Sequence, residues 1–214
     1  KENNVYAMYI TYKIEDRPQF KEKKGRVMGI DIGVSRLVTC GNTIGEKPFC
    51  INGNPLKSYN KEYNKKKSKL QTILKTVNNE YSSKRLRSLE QNRNNRMKTY
   101  MHQTSSYIVK WCVENDIDTI VIGSNKGWKQ ECELGKETQT FIQIPFDILK
   151  SQIKYKANSY GIEVIEQEES YTSGTSFIDN EEPIKENYNK SRRVKRGLFK
   201  SNDVSIHSDL NGAY

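Results

Sequence analysis

The sequence has 214 residues, enough for one good-sized domain with a substantial core, and 34 % of them are hydrophobic. Lysine and arginine total 36 against 26 acidic residues, so the net charge is +10 and a polyanionic partner is predicted. No apolar run approaches the roughly 20 residues that cross a bilayer, and no signal peptide is visible, so no membrane partner is expected.

Strand patterns fill the first quarter of the chain. Alternating apolar residues predict a strand over residues 5–15, a charged link follows over 17–24, and three more strands occupy residues 26–52. Three consecutive strands imply an antiparallel meander. Because the chain begins at Lys1 without a methionine, inside the first predicted strand, we expect a fragment whose upstream part is missing.

Helical periodicity replaces the strand pattern after the third of these strands. Two helices are predicted over about 55–76 and 83–115, followed by a buried strand over 117–122. Pro145 opens another helix, and a strand over 162–165 comes next. Residues predicted to share one face of that helix are Phe146, Leu149, Ile153, Ala157 and Tyr160.

Positive charge is concentrated in three stretches, within residues 57–75, 84–98 and 185–200. Three clusters of one sign favour phosphate binding, although a solvated helix face explains any single one. Two further lysines lie in the sequence NKGWKQ, for which phosphate contact, positioning of Glu169 and a plain turn all stay open. The residues that we predict to contact nucleic acid are Lys65, Lys66, Lys67, Arg93, Arg96, Lys126, Lys129, Arg193 and Arg196.

The four cysteines are widely separated and form no CxxC pair. A zinc ribbon is therefore not predicted, and a disulfide framework has no positive support. A reducing, intracellular compartment fits this cysteine usage best.

Three carboxylates stand at strand ends or at a helix start: Asp31 in GIDIG, Glu169 in QEESYTS and Asp209 in HSDLNGA. Carboxylates that converge from separate segments can hold two hard divalent cations about 4 Å apart. One cation then activates water, and the other stabilises the leaving oxygen in phosphodiester cleavage. Three solvated surface acids are the alternative.

Six segments carry a family resemblance that runs from about Val5 to Tyr214. They are GIDIGVSRLVT, NRNNRMKTYMHQTSSYIVKWC, IVIGSNKGWKQE, FIQIPFDILKSQIKYKANSYGIEVIEQEESYTSGTSF, RVKRGLF and SDLNGAY. In this order they resemble the TnpB (OrfB) proteins of bacterial insertion sequences, which are similar to the ancestors of type V CRISPR nucleases. The resemblance implies an α/β fold, a ribonuclease-H-like (RuvC) mixed sheet with flanking helices and a long basic helical hairpin insertion.

The same resemblance implies a division of the chain. Residues 1–24 would be the final strand of an upstream wedge, or oligonucleotide-binding, domain with its link. Residues 25–214 would form the RuvC-like nuclease domain, with the helical insertion at about 55–115. A second insertion, at about 174–200, stands where the family usually has a four-cysteine ribbon, and it contains no cysteine, so no structural zinc is expected.

By resemblance, Asp31, Glu169 and Asp209 are the catalytic and metal-binding residues, and two magnesium ions, or manganese, are the cofactor. In the family's commonest form a catalytic glutamate ends the strand where this chain has Gly123. Some branches carry a relocated glutamate before the YTS sequence, where Glu169 stands here. Glu168 is its competitor, and strand alternation directs the two side chains to opposite faces, so at most one should face the metals.

The function that the resemblance implies is that of a transposon-associated, RNA-guided DNA endonuclease in the bacterial cytoplasm. Its partners would be a guide RNA and target DNA, and a separate transposase encoded by the same element is a further candidate. The alternative is a nuclease-dead RNA-guided DNA-binding protein, a repressor or degenerate remnant, because Gly123 has no side chain to bind metal. An actin-like or sugar-kinase ATPase would need a second DxG and a glycine-rich loop, and the sequence has neither.

Overall fold

Five strands form a central mixed sheet in the order β3-β2-β1-β4-β5. The computed structural model describes residues 8–11, 19–124, 143–195 and 197–214. The first three strands form the predicted antiparallel meander, whereas β4 and β5 run parallel to β1. The strand bounds are Val27–Ile32 (β1), Arg36–Asn42 (β2), Phe49–Asn52 (β3), Thr119–Ser124 (β4) and Glu163–Glu168 (β5).

Alternation along β1 gives the sheet two different faces. Met28, Ile30 and Ile32 are at most 3 % exposed and belong to the hydrophobic core. Gly29 and Asp31 take the opposite direction, because successive residues of a strand point to opposite sides. We call this second side the Asp31 face.

The core lies between the apolar face of the sheet and two helices, α2 (Lys84–Glu114) and α3 (Phe146–Asn158). Helix α1 (Asn54–Ile73) precedes them and continues as a π-helical turn, Leu74–Asn78. The side chain of Ser83 caps α2 by accepting a backbone N–H. Within the described ranges, no helix is long and apolar enough to span a membrane.

Two predicted elements differ from the structure. Tyr160 does not share the buried face of α3, because the helix ends at Asn158 and Tyr160 is 56 % exposed in the turn that follows. The other four residues predicted for that face are buried. Residues 8–11 have no regular secondary structure, so the strand predicted over 5–15 is wrong for this part; the rest of that range lies outside the described residues.

The strand predicted over 162–165 extends further in the structure. Its parallel pairing with β4 continues until Ser124 lies opposite Glu168. The extra length brings the chain to Glu169 at the end of β5, beside the last residues of β4. Glu169 therefore directly follows a paired strand. The pairing fixes the position of its backbone and limits where its side chain can reach.

The last part of the chain forms a small antiparallel sheet in the order β6-β7-β8 and then a short helix, α4 (Ser208–Ala213). The strands are Arg193–Lys195 (β6), Leu198–Ser201 (β7) and Val204–Ile206 (β8). Helix α4 lies against the Asp31 face, since a Cβ added at Gly29 would be 1.7 Å from the carbonyl oxygen of Ala213.

An ion pair ties together the segment that precedes β6. Arg192 donates to both carboxylate oxygens of Glu181, in one case over 2.7 Å. The same carboxylate accepts the backbone N–H of Ser176 over 3.0 Å. Bidentate pairs of this kind are among the stronger polar contacts in proteins. They tie together the residues from Ser176 to Arg192.

Arg93 makes polar contacts that join α2 to α1 and to Gln143. Its guanidinium donates to the side chain of Asn60 over 2.7 and 2.9 Å and to the carbonyl of Gln143 over 2.7 Å. It also lies over the ring of Tyr63, 5.7 Å from the centroid. Burial lowers the pKa of the guanidinium. The N–H donors of Arg93 therefore form hydrogen bonds within the protein, although the sequence predicts that Arg93 contacts phosphate.

Replacing Arg93 by alanine should destabilise the hairpin, whereas replacing Arg96 should not. Arg93→Ala removes donors from a buried partner, which typically costs about 1–3 kcal/mol. Arg96 is exposed and contacts Glu62 at 4.0 Å, so Arg96→Ala should cost less than about 0.5 kcal/mol. Urea unfolding measures both. Equal, small effects of the two substitutions would contradict the role of Arg93.

Candidate active site

Asp31 lies near the end of β1, on the face that α4 covers. The pairing of Ile30 with Ile122 places the next residue of β1, Asp31, beside the next residue of β4, Gly123. The site is close to helix α4 as well, because a Cβ added at Gly212 would lie 3.9 Å from Asp31 Oδ2. Asp31 is therefore flanked by two positions that have no side chain.

The carboxylate of Glu169 fills the space beside Gly123. A Cβ added at Gly123 would lie 1.7 Å from Glu169 Oε1 and 2.5 Å from its Cδ, so even alanine cannot occupy this position without displacing Glu169. Gly123 pairs with Gln167, and Glu169 follows two residues later on the same side of the chain. Thr172 fixes the backbone there by donating its hydroxyl to the Glu169 carbonyl over 3.0 Å.

Glu168 takes a different direction. It lies opposite Ser124 in the register, it is exposed, and its carboxylate accepts the hydroxyl of Ser170 over 2.9 Å. Of the two neighbouring glutamates, Glu169 is the one directed to the Asp31 face.

Asp209 lies in the first turn of α4. Its backbone N–H donates to Nδ1 of His207, which caps the helix, over 3.2 Å. Its Oδ2 is 3.4 Å from Nη1 of Arg36. Asn211 anchors the helix by donating to the carbonyl of Thr175 over 2.8 Å. These contacts fix the backbone of α4 and leave the Asp209 carboxylate turned toward the cleft.

Asp31, Glu169 and Asp209 line one cleft of about 880 Å³. The predicted convergence of these three segments is thus present in the fold. Cationic side chains on the same walls are Arg36, Arg193 and Lys195. Anions at the centre with cations at the rim can accept a phosphate chain when the central charge is neutralised by a cation.

Burial raises the pKa of two of these carboxylates, Asp31 and Glu169. Burial raises the pKa of Asp31 to about 7, and the charges of Glu169 and Asp209 add to this effect, whereas Arg193 opposes it. Burial also raises the pKa of Glu169, against the charge of Lys150. Such a cluster favours whatever brings positive charge, either protons or a metal cation.

The donor set suits a hard divalent cation, because all three candidate ligands are carboxylates. Nevertheless, no group of three His, Cys, Asp or Glu side chains in the described part of the chain is arranged to hold a metal ion as it stands.

The predicted nucleic-acid contacts fall in three places. Lys65 and Lys66 are exposed on α1, and Lys67 lies over the ring of Tyr63 at 5.5 Å. Arg193 is exposed on β6 at the cleft. Lys126, Lys129 and Arg196 lie outside the described residues.

The sequence patterns missed two cations near the acids. Arg36 begins β2 only five residues after Asp31. This short separation within GIDIGVSR is the signal that could have placed Arg36 near the acids. Lys150 donates to Ser124 over 2.9 Å and lies 3.5 Å from Glu166. No local pattern in α3 marks Lys150, because its place at the site depends on the packing of α3 beside β4 and β5.

Family models match most of the chain. The OrfB_IS605 model, described as "Probable transposase", matches residues 9–129. The chain belongs to this TnpB/OrfB family. A second model, described as "Cas12f1-like, TNB domain", matches residues 146–214. No curated protein is similar enough in sequence to be matched.

Two solved structures share the fold of this TnpB/OrfB protein. "Cryo-EM structure of the Cas12f1-sgRNA-target DNA complex" has a TM-score of 0.66 and 19 % identity, covering 90 % of this chain and 50 % of the other. "Cryo-EM structure of CRISPR-Cas12f Ternary Complex" has a TM-score of 0.67 and 15 % identity, with 94 % and 40 % covered. The chain thus spans half or less of the length of these proteins, and at this identity the likeness shows the fold alone.

Asp31→Asn is expected to stabilise the metal-free protein as the pH rises. The folded-state pKa of about 7 exceeds the ordinary 3.8, so the stability that protonated Asp31 contributes is complete below about pH 4 and is lost through pH 7. At about 1.4 kcal/mol per pKa unit, the variant should gain roughly 2–4 kcal/mol over wild type at alkaline pH and little near pH 4. Thermal and urea unfolding in EDTA measure this gain. A variant less stable than wild type at pH 8 would contradict the burial and the repulsion described for Asp31.

Proposed function

We propose that this chain is the RuvC-like nuclease domain of a TnpB-type RNA-guided DNA endonuclease. The observation that carries the proposal is the Glu169 carboxylate in the space beside Gly123. It supplies the third acid of the cleft from β5, where the commonest family pattern would place it on β4. Glu169, with Glu168 as the rejected competitor, thus joins Asp31 and Asp209 as the proposed catalytic set.

The fold supports a ribonuclease-H-like domain. The strand order β3-β2-β1-β4-β5, with β1 central and an acid near its end, is the arrangement expected for such a nuclease. We propose that residues 25–214 form this domain and that residues 1–24 belong to an upstream wedge domain and its link. The hairpin of α1 and α2 corresponds to the basic helical insertion.

Asp31, Glu169 and Asp209 would hold two magnesium ions, with manganese as a substitute. The chemistry supplied by the bound ions would be activation of water and neutralisation of charge at the scissile phosphate. The chain's own contribution is to hold three acids at one place and to offer Arg193 and Lys195 at the rim for phosphates on either side. No zinc is proposed for the 174–200 insertion, which the pair of Glu181 and Arg192 ties together.

A guide RNA and target DNA are the proposed partners. The two similar structures are named as complexes with sgRNA and target DNA or as a ternary complex. The exposed lysines of α1 supply positive charge for phosphate contacts, which recognise the shape of a duplex and not its sequence. Arg93 is left out of this surface because it donates to Asn60 and to the carbonyl of Gln143 within the protein.

A second function, RNA-guided DNA binding without cutting, is favoured by one observation. The described side chains do not stand in a ready metal-binding arrangement. If metal does not draw the carboxylates together, the same fold and basic surfaces would occupy DNA and leave it intact.

DNA cleavage by the complete protein with its RNA, in magnesium and in EDTA, separates these functions. Removal of a metal-holding carboxylate should lower the rate by at least about 100-fold, because the reaction depends on charge neutralisation at the phosphate. We expect this loss for Asp31→Ala and Glu169→Ala, and near wild-type cutting for the matched variant Glu168→Ala.

Other outcomes decide against parts of the proposal. Loss of cutting in Glu168→Ala with full activity in Glu169→Ala would assign the wrong glutamate. RNA-dependent DNA binding by the wild type, with no cutting at any magnesium concentration, would place the protein in the binding class.

A further inference from the structure

Arg36 is held at the cleft by its backbone. The turn after β1 is closed by the N–H of Gly33, which donates to the Leu37 carbonyl over 3.2 Å. The approach is close, since a Cβ added at Gly33 would lie 2.8 Å from the carbonyl oxygen of Arg36. Arg36 therefore has little freedom to leave the neighbourhood of Asp31, and only its side chain can move.

The guanidinium of Arg36 occupies part of the coordination space of Asp209. Nη1 of Arg36 lies 3.4 Å from Asp209 Oδ2, the oxygen that is also 3.8 Å from Nδ1 of His207. The Arg36 side chain is 41 % exposed and that of Asp209 is 30 % exposed. A partly exposed pair at this length is weak and can be replaced by a stronger partner.

We propose that Arg36 competes with the metal for Asp209 and, once the metal displaces it, binds a phosphate of the DNA strand. This inference rests on the proposed nuclease function. In the metal-free protein the guanidinium partly neutralises Asp209, so the metal must displace a cation in order to bind. The released fork of N–H donors then faces the cleft, and its geometry suits two oxygens of a phosphate.

The contact distinguishes Arg36 from the other cations of the cleft. Arg193 acts on Asp31 through its charge, whereas Arg36 makes a direct ion pair with Asp209. Its removal should therefore have two effects of opposite sign. Metal should bind more tightly, and substrate should be processed more slowly.

Manganese binding by the complete protein without nucleic acid tests the first effect. Titration calorimetry should give a Kd about three- to tenfold lower for Arg36→Gln than for wild type, because both the competing ion pair and a repelling charge are gone. Arg36→Lys keeps the charge and should stay near wild type. Lys110→Gln removes the same charge from the exposed surface of α2 and should change nothing.

Single-turnover cleavage by the RNA-loaded protein at saturating magnesium tests the second effect. Arg36→Gln should cut about tenfold more slowly, and Arg36→Lys should recover part of the loss, because an ammonium contacts phosphate as a point charge. Thermal unfolding must show that both variants fold. Tighter metal binding with slower cutting is a pair of changes that a merely structural role would not produce.

The outcomes keep the two proposals apart. The nuclease proposal fails if wild type binds no manganese, or if Asp31→Asn binds manganese as wild type does. This inference then fails with it. If wild type binds metal and cuts, but Arg36→Gln leaves both unchanged or weakens metal binding, only the role of Arg36 is overturned.

Discussion

The site depends on one steric relation between two residues. The Glu169 carboxylate occupies the space that a side chain at Gly123 would take. Parallel pairing of β1, β4 and β5 places residues 31, 123 and 167 across one face of the sheet, and Glu169 follows as β5 ends. A glycine at the end of β4 therefore leaves room for a carboxylate that comes in from β5. The absence of a side chain at 123 and the position of the Glu169 carboxylate therefore have a single structural explanation.

Placing three carboxylates at one cleft has a cost in the absence of a counter-charge. The raised pKa of Asp31 comes first from burial and then from the charges of Glu169 and Asp209, and Arg193 opposes it. Lys150 likewise opposes the raised pKa of Glu169. Functional sites commonly retain such unfavourable electrostatics, with compensation elsewhere in the fold. Here the apolar layer of the sheet, α2 and α3 supplies a scaffold that keeps the acids together despite their repulsion.

Local patterns were sufficient for most elements of the fold. The meander, the long hairpin helices and the start of α3 after Pro145 follow from periodicity and turn residues, and the structure has them. The prediction for Tyr160 is wrong because the apolar spacing continues past Asn158, where the helix ends in a turn. The end of α3 is set by Gly161 at φ +70°, a backbone conformation that favours glycine.

Long-range contacts explain what the sequence left open. Neighbouring residues do not decide between Glu168 and Glu169, because the direction of each side chain depends on the register of β5 against β4. In the sequence, Arg93 does not differ from the exposed cations of a basic helix. Its contacts with Asn60 and Gln143 are seen only in the structure. Contacts between residues distant in the sequence have no local signature.

Moving the glutamate between strands tests the central claim most directly. Cleavage by the complete RNA-loaded protein would be compared for Glu169→Ala, for Gly123→Glu and for the double variant Gly123→Glu with Glu169→Ala. Each single change should abolish cutting, the first by removing the acid and the second by steric conflict with Glu169. The double variant should recover cutting well above either single variant. Full activity in Glu169→Ala, or a folded, DNA-binding double variant as inactive as the single ones, would contradict the exchange between positions 123 and 169.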